Sequence, residues 1–380
     1  MRLIPSTFAA VAVLAAAGCS SNPGADGAGV INVQSTASSC EVSATDAPSG
    51  NLVFAVRNRG SEVTEFYLLA ADGLRIVGEV ENIGPGISRN LVVQAAPGSY
   101  LTACKPGMVG EGIRAPFTVT DSGVQVAANE IDAVVATANE QYRLYVREQV
   151  AQLVDKTRRF AELYRARSDD EARQLYADAR THWERIEPVA ESFGDLDPRL
   201  DLREADLEPG QDWTGWHAIE KDLWPPAAGY TALGDARRAA LAAQLVADTE
   251  DLAQRVQDLS YDAAQLGNGA KELLDEVATG KVTGEEEAWS HTDLWDFQAN
   301  VDGARVAFEA LEPALRMKDA DLADTLAARF LALQSILDGH RTSDGFVRYT
   351  ELSEGQVRTL ADAVDALSEP LAALTAAVVL

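Results

Sequence analysis

Basic residues are scarce in this 380-residue chain, which has 32 lysines and arginines against 59 aspartates and glutamates. The formal net charge of −27 repels polyphosphate backbones, so a nucleic acid is excluded as a partner. Histidine and cysteine are scarce as well, with four and three residues. The hydrophobic fraction of 47% nevertheless supports packed cores, and the length favours two or three domains.

Long apolar runs are absent beyond the N-terminus, whereas a membrane helix needs roughly 20 apolar residues. The run that ends at Ala17 is a signal peptide over residues 1–18, because it is short and small residues close it. Those small residues directly precede Cys19, a pattern that resembles a bacterial lipobox, so we expect Cys19 to be lipidated. An ordinary secretory signal is the alternative, and both place the mature protein outside the cytoplasm. Residues 19–39 are rich in Ser, Gly, Ala and Asn, which predicts a flexible tether.

Two interpretations are open for the remaining cysteines, Cys40 and Cys104. A pair of thiols outside the cytosol usually forms a disulfide. Closing a loop of that length would stabilise the fold by about 4 kcal/mol in the chain-entropy model. Alternatively, the pair supplies thiolates to a soft metal ion.

Histidine is absent from residues 40–121, where short apolar runs alternate with Gly, Pro and Asn turns. This spacing predicts a small all-β sandwich. A blue copper site needs two imidazoles besides its sulfur ligands, so Cys104 and Met108 alone cannot form one. Glu65, Glu79 and Glu81 lie in or beside the predicted strands, and solvated strand-edge charges are the simplest account of them. A Cys/Glu metal site is the alternative.

Residues 122–380 have a different period, with apolar residues recurring three and four positions apart. The run Leu241, Leu245, Leu252, Val256 is one example of this amphipathic helical pattern. Several such segments approach 30 residues. We therefore expect an all-α domain made of one helical bundle or two packed side by side.

Two segments of the helical part place carboxylates and an imidazole at metal-ligand spacing. His217 and Glu220 are three residues apart in Gly-Trp-His-Ala-Ile-Glu, so both lie on one helix face. Glu184 and Glu187 have the same spacing at a helix end, where they repel unless they are solvated or bridged by a cation. Asp201 lies between the two segments. A set of carboxylates with one imidazole suits iron, manganese or zinc, whereas calcium prefers oxygen ligands alone.

A third segment runs from Ser290 to Asn300 and carries His, Asp, Trp and Asn on consecutive helical turns. Ser290 is expected to cap the helix, with Asp293 completing a capping box. The polar residues that follow are compatible with the lining of a cleft.

Together these segments closely resemble the imelysin-like family, which is marked by a GxHxxE motif and includes components of bacterial iron uptake systems. The resemblance covers nearly the whole mature chain. It implies a cupredoxin-like sandwich followed by an imelysin-like helical domain of two four-helix bundles. The helical domain would bind iron through His217 and Glu220, joined by Glu184, Glu187 and Asp201. The sandwich positions that match the family's second metal site are Cys40, Glu65, Glu79, Glu81 and Cys104.

The resemblance also implies a function and partners. The protein would capture iron, with copper or zinc as alternative ions, and pass it to a membrane iron permease alongside a haem-peroxidase-like partner. The sandwich would bind or oxidise a metal, and lipid at Cys19 would anchor the protein to the membrane.

Two other functions compete with iron transport. A metallopeptidase is one, because HxxE supplies two zinc ligands in some peptidases. The chain has no HExxH, however, and no glutamate is clearly left as a general base. A polymer-binding surface lipoprotein is the other, with the six tryptophans lining a groove. Packing in the helical core is the preferred account for most of them.

Overall fold

The computed structural model describes residues 29–73, 76–123 and 130–380. A β-sandwich is followed by a helical domain, which confirms the predicted order of fold classes. The signal peptide and the lipidation site at Cys19 lie outside the described residues. Among the helices that the structure describes, none combines the length and apolar character needed to cross a bilayer.

The sandwich consists of two sheets with strand orders β2-β1-β4-β7 and β3-β9-β8-β5-β6. Its core forms where the inner faces meet, and the Phe54 ring lies 5.2 Å from that of Phe66 and 5.6 Å from that of Phe117. The strands are β1 (Ile31–Ser35), β2 (Cys40–Val42), β3 (Asp46–Pro48), β4 (Gly50–Asn58), β5 (Thr64–Ala70), β6 (Ile76–Ile83), β7 (Ser88–Ala95), β8 (Gly98–Pro106) and β9 (Ile113–Thr120).

The predicted tether over residues 19–39 extends too far, because strand β1 lies inside it. Ile31, Val33 and Ser35 are buried while the residues between them are exposed, the alternation of a half-buried strand. This strand pairs in parallel with β4. Two apolar residues at alternate positions were enough for a central strand, although the local composition is that of a linker.

Cys40 and Cys104 form the expected disulfide between the two sheets. Cys104 pairs with Phe66 and belongs to the sandwich core. Glu65 and Tyr67 flank Phe66 in β5, so their side chains project from the opposite face of the same sheet. The disulfide is therefore inside the sandwich, while the neighbouring acidic side chains face away from it.

The helical domain contains ten α-helices in its described residues, together with a two-residue hairpin, β10 (Arg341–Thr342) and β11 (Gly345–Phe346), and short 3₁₀ turns. The helices are α1 (Glu130–Arg165), α2 (Asp169–Glu184), α3 (Leu196–Asp201), α4 (Gly215–Leu223), α5 (Asp235–Asp258), α6 (Ala263–Thr279), α7 (Asp293–Lys318), α8 (Ala320–Asp338), α9 (Glu354–Leu371) and α10 (Leu374–Val379).

Helix α7 packs against α1, α2, α6 and α8. Buried side chains from all of these helices form one continuous apolar core. The packing confirms an all-helical domain, while its division into two bundles stays a prediction. Core packing is confirmed for five of the six tryptophans: Trp183 and Trp216 are fully buried, and Trp213, Trp224 and Trp295 pack against the same core.

The two domains contact each other directly. Helix α6 packs on β6 and β7, and the 3₁₀ segment Glu187–Phe193 also touches β6. Asn268 donates a hydrogen bond of 2.9 Å to the Val92 carbonyl, and Asn51 donates one of 2.7 Å to the carbonyl of Val379. The outer face of β6 is thereby turned towards the helical domain.

Candidate metal centre

A glycine fixes the position of the His217 helix. Gly215 begins α4 with a φ of +82°, a conformation that other residues rarely adopt. A Cβ atom here would lie 2.1 Å from the carbonyl oxygen of Leu200, near the end of α3. The absence of a side chain at Gly215 therefore lets α4 start directly against α3, and this contact brings His217 beside Asp201.

His217 is buried and faces carboxylates at both ring nitrogens. Its Nδ1 atom lies 3.3 Å from Oε2 of Glu220 on the next turn of α4. Its Nε2 atom lies 3.3 Å from Oδ1 of Asp201 and 3.4 Å from Oε1 of Glu286, although neither contact is a hydrogen bond. The predicted grouping of His217, Glu220 and Asp201 is thus present, with Glu286 as an additional member.

Glu220 is held in place by the backbone of a loop before α7. Its Oε1 atom accepts hydrogen bonds from the N–H groups of Trp289, at 3.0 Å, and Ser290, at 2.7 Å. In the same loop, the Ser290 hydroxyl donates to Oε2 of Glu287 at 2.6 Å. These bonds orient two carboxylates towards the His217 side of the cluster.

The sequence-based reasoning missed Glu286 and Glu287. Both are buried, yet they stand in a run of three glutamates that reads as a solvated charge cluster. The available signal was the proximity of this run to the third motif, which begins at Ser290.

The structure also places a buried cation, Arg180, at the centre of the cluster. Its guanidinium contacts Glu184 and Asp201, and lies 3.2 Å from Glu286 and 2.8 Å from Glu287. Arg180 precedes Glu184 by four residues, so the two share one face of α2. That spacing is the sequence signal for this ion pair.

Glu184 and Glu187 have counter-charges of their own. Lys281 Nζ lies 3.0 Å from Glu184 and 2.8 Å from Glu187. The amide of Asn300 donates hydrogen bonds to both carboxylates, at 2.9 and 2.6 Å. Lys281 therefore opposes the repulsion inferred from their spacing, although burial and Glu184 still raise the pKa of Glu187 well above its usual value. Asn300 links the third motif to this region.

Two overlapping sets of three ligand atoms within 4.8 Å of one another occur in the part of the chain that the structure describes, and both contain His217. Neither Glu184 nor Glu187 belongs to them. The first set is Asp201, His217 and Glu286, and the second is His217, Glu220 and Glu287. One imidazole with several carboxylate oxygens fits iron, manganese or zinc.

The charges around these sets are unbalanced. Burial and the nearby Arg180 lower the pKa of His217, but the carboxylates of Asp201, Glu220 and Glu286 outweigh them and raise it well above its usual value. Burial raises the pKa of Glu286, yet Lys281 and His217 prevail and lower it to about 2. Asp201 behaves in the same way beside Arg180, with a lowered pKa. Asp201, Glu220 and Glu286 are thus ionised, whereas burial and the nearby Glu220 raise the pKa of Glu287 well above its usual value. His217 holds a proton that a metal ion would replace.

Asp296 is the clearest unsatisfied group. Both of its carboxylate oxygens are buried without a hydrogen bond to any described residue, and its nearest cation is the Nε atom of Arg180 at 3.6 Å. Burial raises its pKa well above the usual value, and Glu184 and Glu287 add to the effect against the opposing Arg180. A buried acceptor without a partner costs about 1–3 kcal/mol, so the cluster as a whole is short of positive charge.

The expected capping of the third motif is wrong in detail. Helix α7 starts at Asp293, its N-cap is Thr292, and no side chain caps it. Ser290 instead donates its hydroxyl to Glu287 and its N–H to Glu220. Ser290 therefore orients these two carboxylates and does not cap α7.

The metal site expected in the sandwich is not assembled. Cys40 and Cys104 are joined to each other inside the core, so they offer no thiolates. Glu65 accepts a hydrogen bond of 2.6 Å from Tyr67 and lies 3.6 Å from Lys105. The remaining two predicted ligands, Glu79 and Glu81, lie on the outer face of β6, on the side of the helical domain.

Comparison with known proteins matches both halves of the chain. The imelysin model of peptidase family M75 matches residues 138–374, and the cupredoxin-like domain model matches residues 8–119. The iron uptake system component EfeO of Yersinia pestis is 36% identical over 339 residues, or 88% of this chain and 87% of that protein. EfeO of Escherichia coli strain K12 is 33% identical over 350 residues, or 90% of each chain. The chain therefore belongs to the imelysin family, and a match to the cupredoxin-like domain precedes its imelysin domain.

Proposed function

We propose that this protein is the iron-binding component of a bacterial iron uptake system, with iron as its cargo. It captures the ion at the two ligand sets that share His217. The observation that carries the proposal is the buried cluster itself, in which one imidazole and at least four ionisable carboxylates converge. The EfeO relatives are iron uptake system components, and this supports the choice of iron among the ions that this donor set suits.

Removal of the imidazole tests the binding site. A His217→Ala, Glu220→Ala double variant is expected to bind Fe²⁺ more than about 100-fold more weakly. Removal of a group that merely orients a metal ligand already lowers the metal affinity by about 10- to 100-fold, and removal of the ligands themselves should lower it at least as much. Anaerobic equilibrium dialysis with measurement of bound iron gives the affinity. His182→Gln is the matched control, since His182 is a buried histidine of the same domain that contacts Gln149 instead. Equal iron binding by the wild type and the double variant would refute the assignment.

The affinity should also depend on pH. Because the pKa of His217 is raised well above 6.5, the imidazole is protonated at neutral pH and must lose its proton to bind a metal. The affinity for Zn²⁺ is therefore expected to rise by about tenfold per pH unit for each proton released, until the pH exceeds that raised pKa. Calorimetry between pH 6 and 8, in buffers of different ionisation enthalpy, measures both the affinity and the protons released. A flat profile would contradict a role for His217 as ligand.

Delivery and location complete the proposal. The lipid at Cys19 holds the protein on the outer side of the cell membrane, where it passes iron to a membrane permease and works with a haem-peroxidase-like partner. The lipobox-like residues before Cys19 support the lipid anchor. The EfeO relatives are components of an iron uptake system, and this supports a role in an assembly of several proteins. Mass spectrometry of the mature N-terminus tests the anchor, because a lipidated Cys19 has a characteristic added mass.

A further inference from the structure

Arg180 and Asp296 face each other beside the metal centre without forming a hydrogen bond. The Nε atom of Arg180 lies 3.6 Å from Oδ1 of Asp296, which is beyond hydrogen-bond range. This nitrogen and both carboxylate oxygens of Asp296 are buried, and none of the three atoms has a hydrogen-bond partner among the described residues. A strong donor and a strong acceptor are therefore unused, although a shift of about 0.7 Å would bring them to a normal bond length.

The position of the guanidinium is the reason that this bond is not made. Unused hydrogen-bonding groups are rare in protein interiors. Here the two terminal nitrogens of Arg180 contact Asp201 and Glu184 rather than Asp296. If Arg180 left Asp201, Asp296 would be the nearest carboxylate without a donor of its own.

The first ligand set, Asp201, His217 and Glu286, is the one that Arg180 occupies. Its guanidinium contacts Asp201 and lies 3.2 Å from Glu286, so it stands beside both carboxylates that face Nε2 of His217. The positive charge of Arg180 thus compensates the two carboxylates that a metal ion would use. A multivalent cation at these ligands would repel the guanidinium and compete with it for the same oxygens.

The second ligand set, His217, Glu220 and Glu287, depends less on Arg180. Glu220 accepts hydrogen bonds from two backbone N–H groups. Glu287 accepts bonds from three hydroxyl groups, in addition to its contact of 2.8 Å with Nε of Arg180. These neutral donors stay in place when a cation moves. The first set is therefore the one at which a metal ion exchanges with a cation of the protein.

We propose that a metal ion bound by Asp201, His217 and Glu286 displaces the guanidinium of Arg180, and that Asp296 receives it. Arg180 is then a placeholder cation, and Asp296 is a positioning residue that acts through Arg180. Asp296 belongs to neither ligand set, which agrees with this indirect role. The exchange rests on the proposed function, because it is the step by which the ion enters the His217 centre.

Helix geometry supports a local movement of this kind. Arg180 and Glu184 are four residues apart on α2, so Glu184 keeps its contact while the guanidinium turns. Asp296 and Asn300 have the same spacing on α7, and Asn300 donates a hydrogen bond of 2.9 Å to Glu184. A rotation of the Arg180 side chain about Glu184 exchanges Asp201 for Asp296 without displacement of either helix. The new bond offsets part of the cost of leaving Asp201.

A double-mutant cycle tests the exchange. Asp296→Asn is nearly isosteric and is expected to weaken Zn²⁺ binding by about tenfold, the worth of one charge-assisted hydrogen bond. In an Arg180→Gln background the same substitution should change the affinity by less than about twofold, since no guanidinium then needs a receiver. Calorimetry with Zn²⁺ alone gives the four affinities. A ligand at Asp296, or a charge that merely attracts the ion, would weaken binding in both backgrounds, so additive effects would overturn the exchange.

The pair Arg185 and Asp302 is the matched control. It also joins an arginine of the α2 end to an aspartate of α7, at 3.4 Å, and it lies outside both ligand sets. Arg185→Gln and Asp302→Asn should each change the Zn²⁺ affinity by less than about twofold and show no coupling. Asp296→Asn should not lower the free energy of unfolding in the absence of metal, because its carboxylate accepts no hydrogen bond there. A merely structural role for Asp296 would lower it.

A crystal structure of the Zn²⁺-loaded wild type tests the exchange without a variant that loses stability. Nε of Arg180 is expected about 2.9 Å from Asp296, with the contact to Asp201 broken. A guanidinium that stays on Asp201, or a Zn²⁺ ion bound directly by Asp296, would overturn the exchange and leave the metal centre intact. Unchanged Zn²⁺ binding in His217→Gln would instead refute the metal centre itself, so the two failures are distinguishable.

Discussion

Replacement of Arg180 by glutamine is expected to lower the free energy of unfolding of the metal-free protein by about 3–5 kcal/mol. The Arg180 side chain is fully buried and contacts carboxylates of α2, α3 and the loop before α7. Removing one partner of a buried ion pair leaves uncompensated charge, which is far more costly than losing a surface pair. For a domain of this size the thermal midpoint should fall by roughly 10 °C. Chemical denaturation and calorimetry measure the two quantities.

The Arg180→Gln result has a matched control and a further consequence. Arg158→Gln removes an exposed arginine that is paired with Glu250, and it should cost less than about 1 kcal/mol. Added Fe²⁺ or Mn²⁺ should stabilise the Arg180→Gln variant more than it stabilises the wild type, because the carboxylates released from arginine become free to bind a cation. Similar losses of stability in the two arginine variants would show that the buried network is not held together by Arg180.

Arg180 shows that part of the buried negative charge is compensated by cations of the protein itself. The sequence suggested that paired acids such as Glu184 and Glu187 await a metal ion. In the structure, Arg180 and Lys281 compensate that part of the cluster, and Asn300 donates to it. A shortage of positive charge remains around Asp296, whose buried carboxylate oxygens accept no hydrogen bond from the described residues. These internal cations hold the carboxylates together, so the cluster is largely formed without a bound metal ion.

The parts of the centre that were predictable are local in sequence. His217 and Glu220 share a helix face because they are three residues apart, and that relation is independent of the rest of the fold. Glu286 and Glu287 join them only because the loop before α7 folds back onto α4. The hydrogen bonds from that loop to Glu220 span about 70 residues of sequence, and no periodicity encodes such a contact. Asp201 was proposed from its place in the chain, and the close approach at Gly215 is its physical basis.

In the sandwich, the sequence predicted the strands but not which acidic residues would lie together. The alternation of apolar residues predicted its strands, and the same alternation decides which side chains are inside. Cys104 and Glu65 are neighbours in the sheet, yet they project from opposite faces. The metal site expected from the family resemblance therefore combined residues that lie on opposite faces of the sheet. Glu79 and Glu81 face the helical domain because it packs against β6, and the alternation of apolar residues in the strands does not encode that contact.

Gly215 links the sequence motif to the geometry of the centre. The GxHxxE pattern begins with this residue, and its positive φ alone would strain any other side chain by about 1–3 kcal/mol. The steric problem is larger, because the obstructing atom is the Leu200 carbonyl oxygen and belongs to the backbone. A clash with backbone is not relieved by a rotamer change. Accommodating a methyl group therefore requires α3 and α4 to separate.

Gly215→Ala is consequently expected to weaken iron binding by about 100-fold, since separation of the two helices moves Asp201 away from His217. Stability should fall as well, by about 3 kcal/mol or more. Gly210→Ala is the matched control, because Gly210 has a similar φ of +90° but open space around the added methyl group. That variant should show only the cost of backbone strain, with unchanged iron affinity in equilibrium dialysis. Equal iron affinities in the two alanine variants would mean that the approach of α4 to α3 does not set the geometry of the centre.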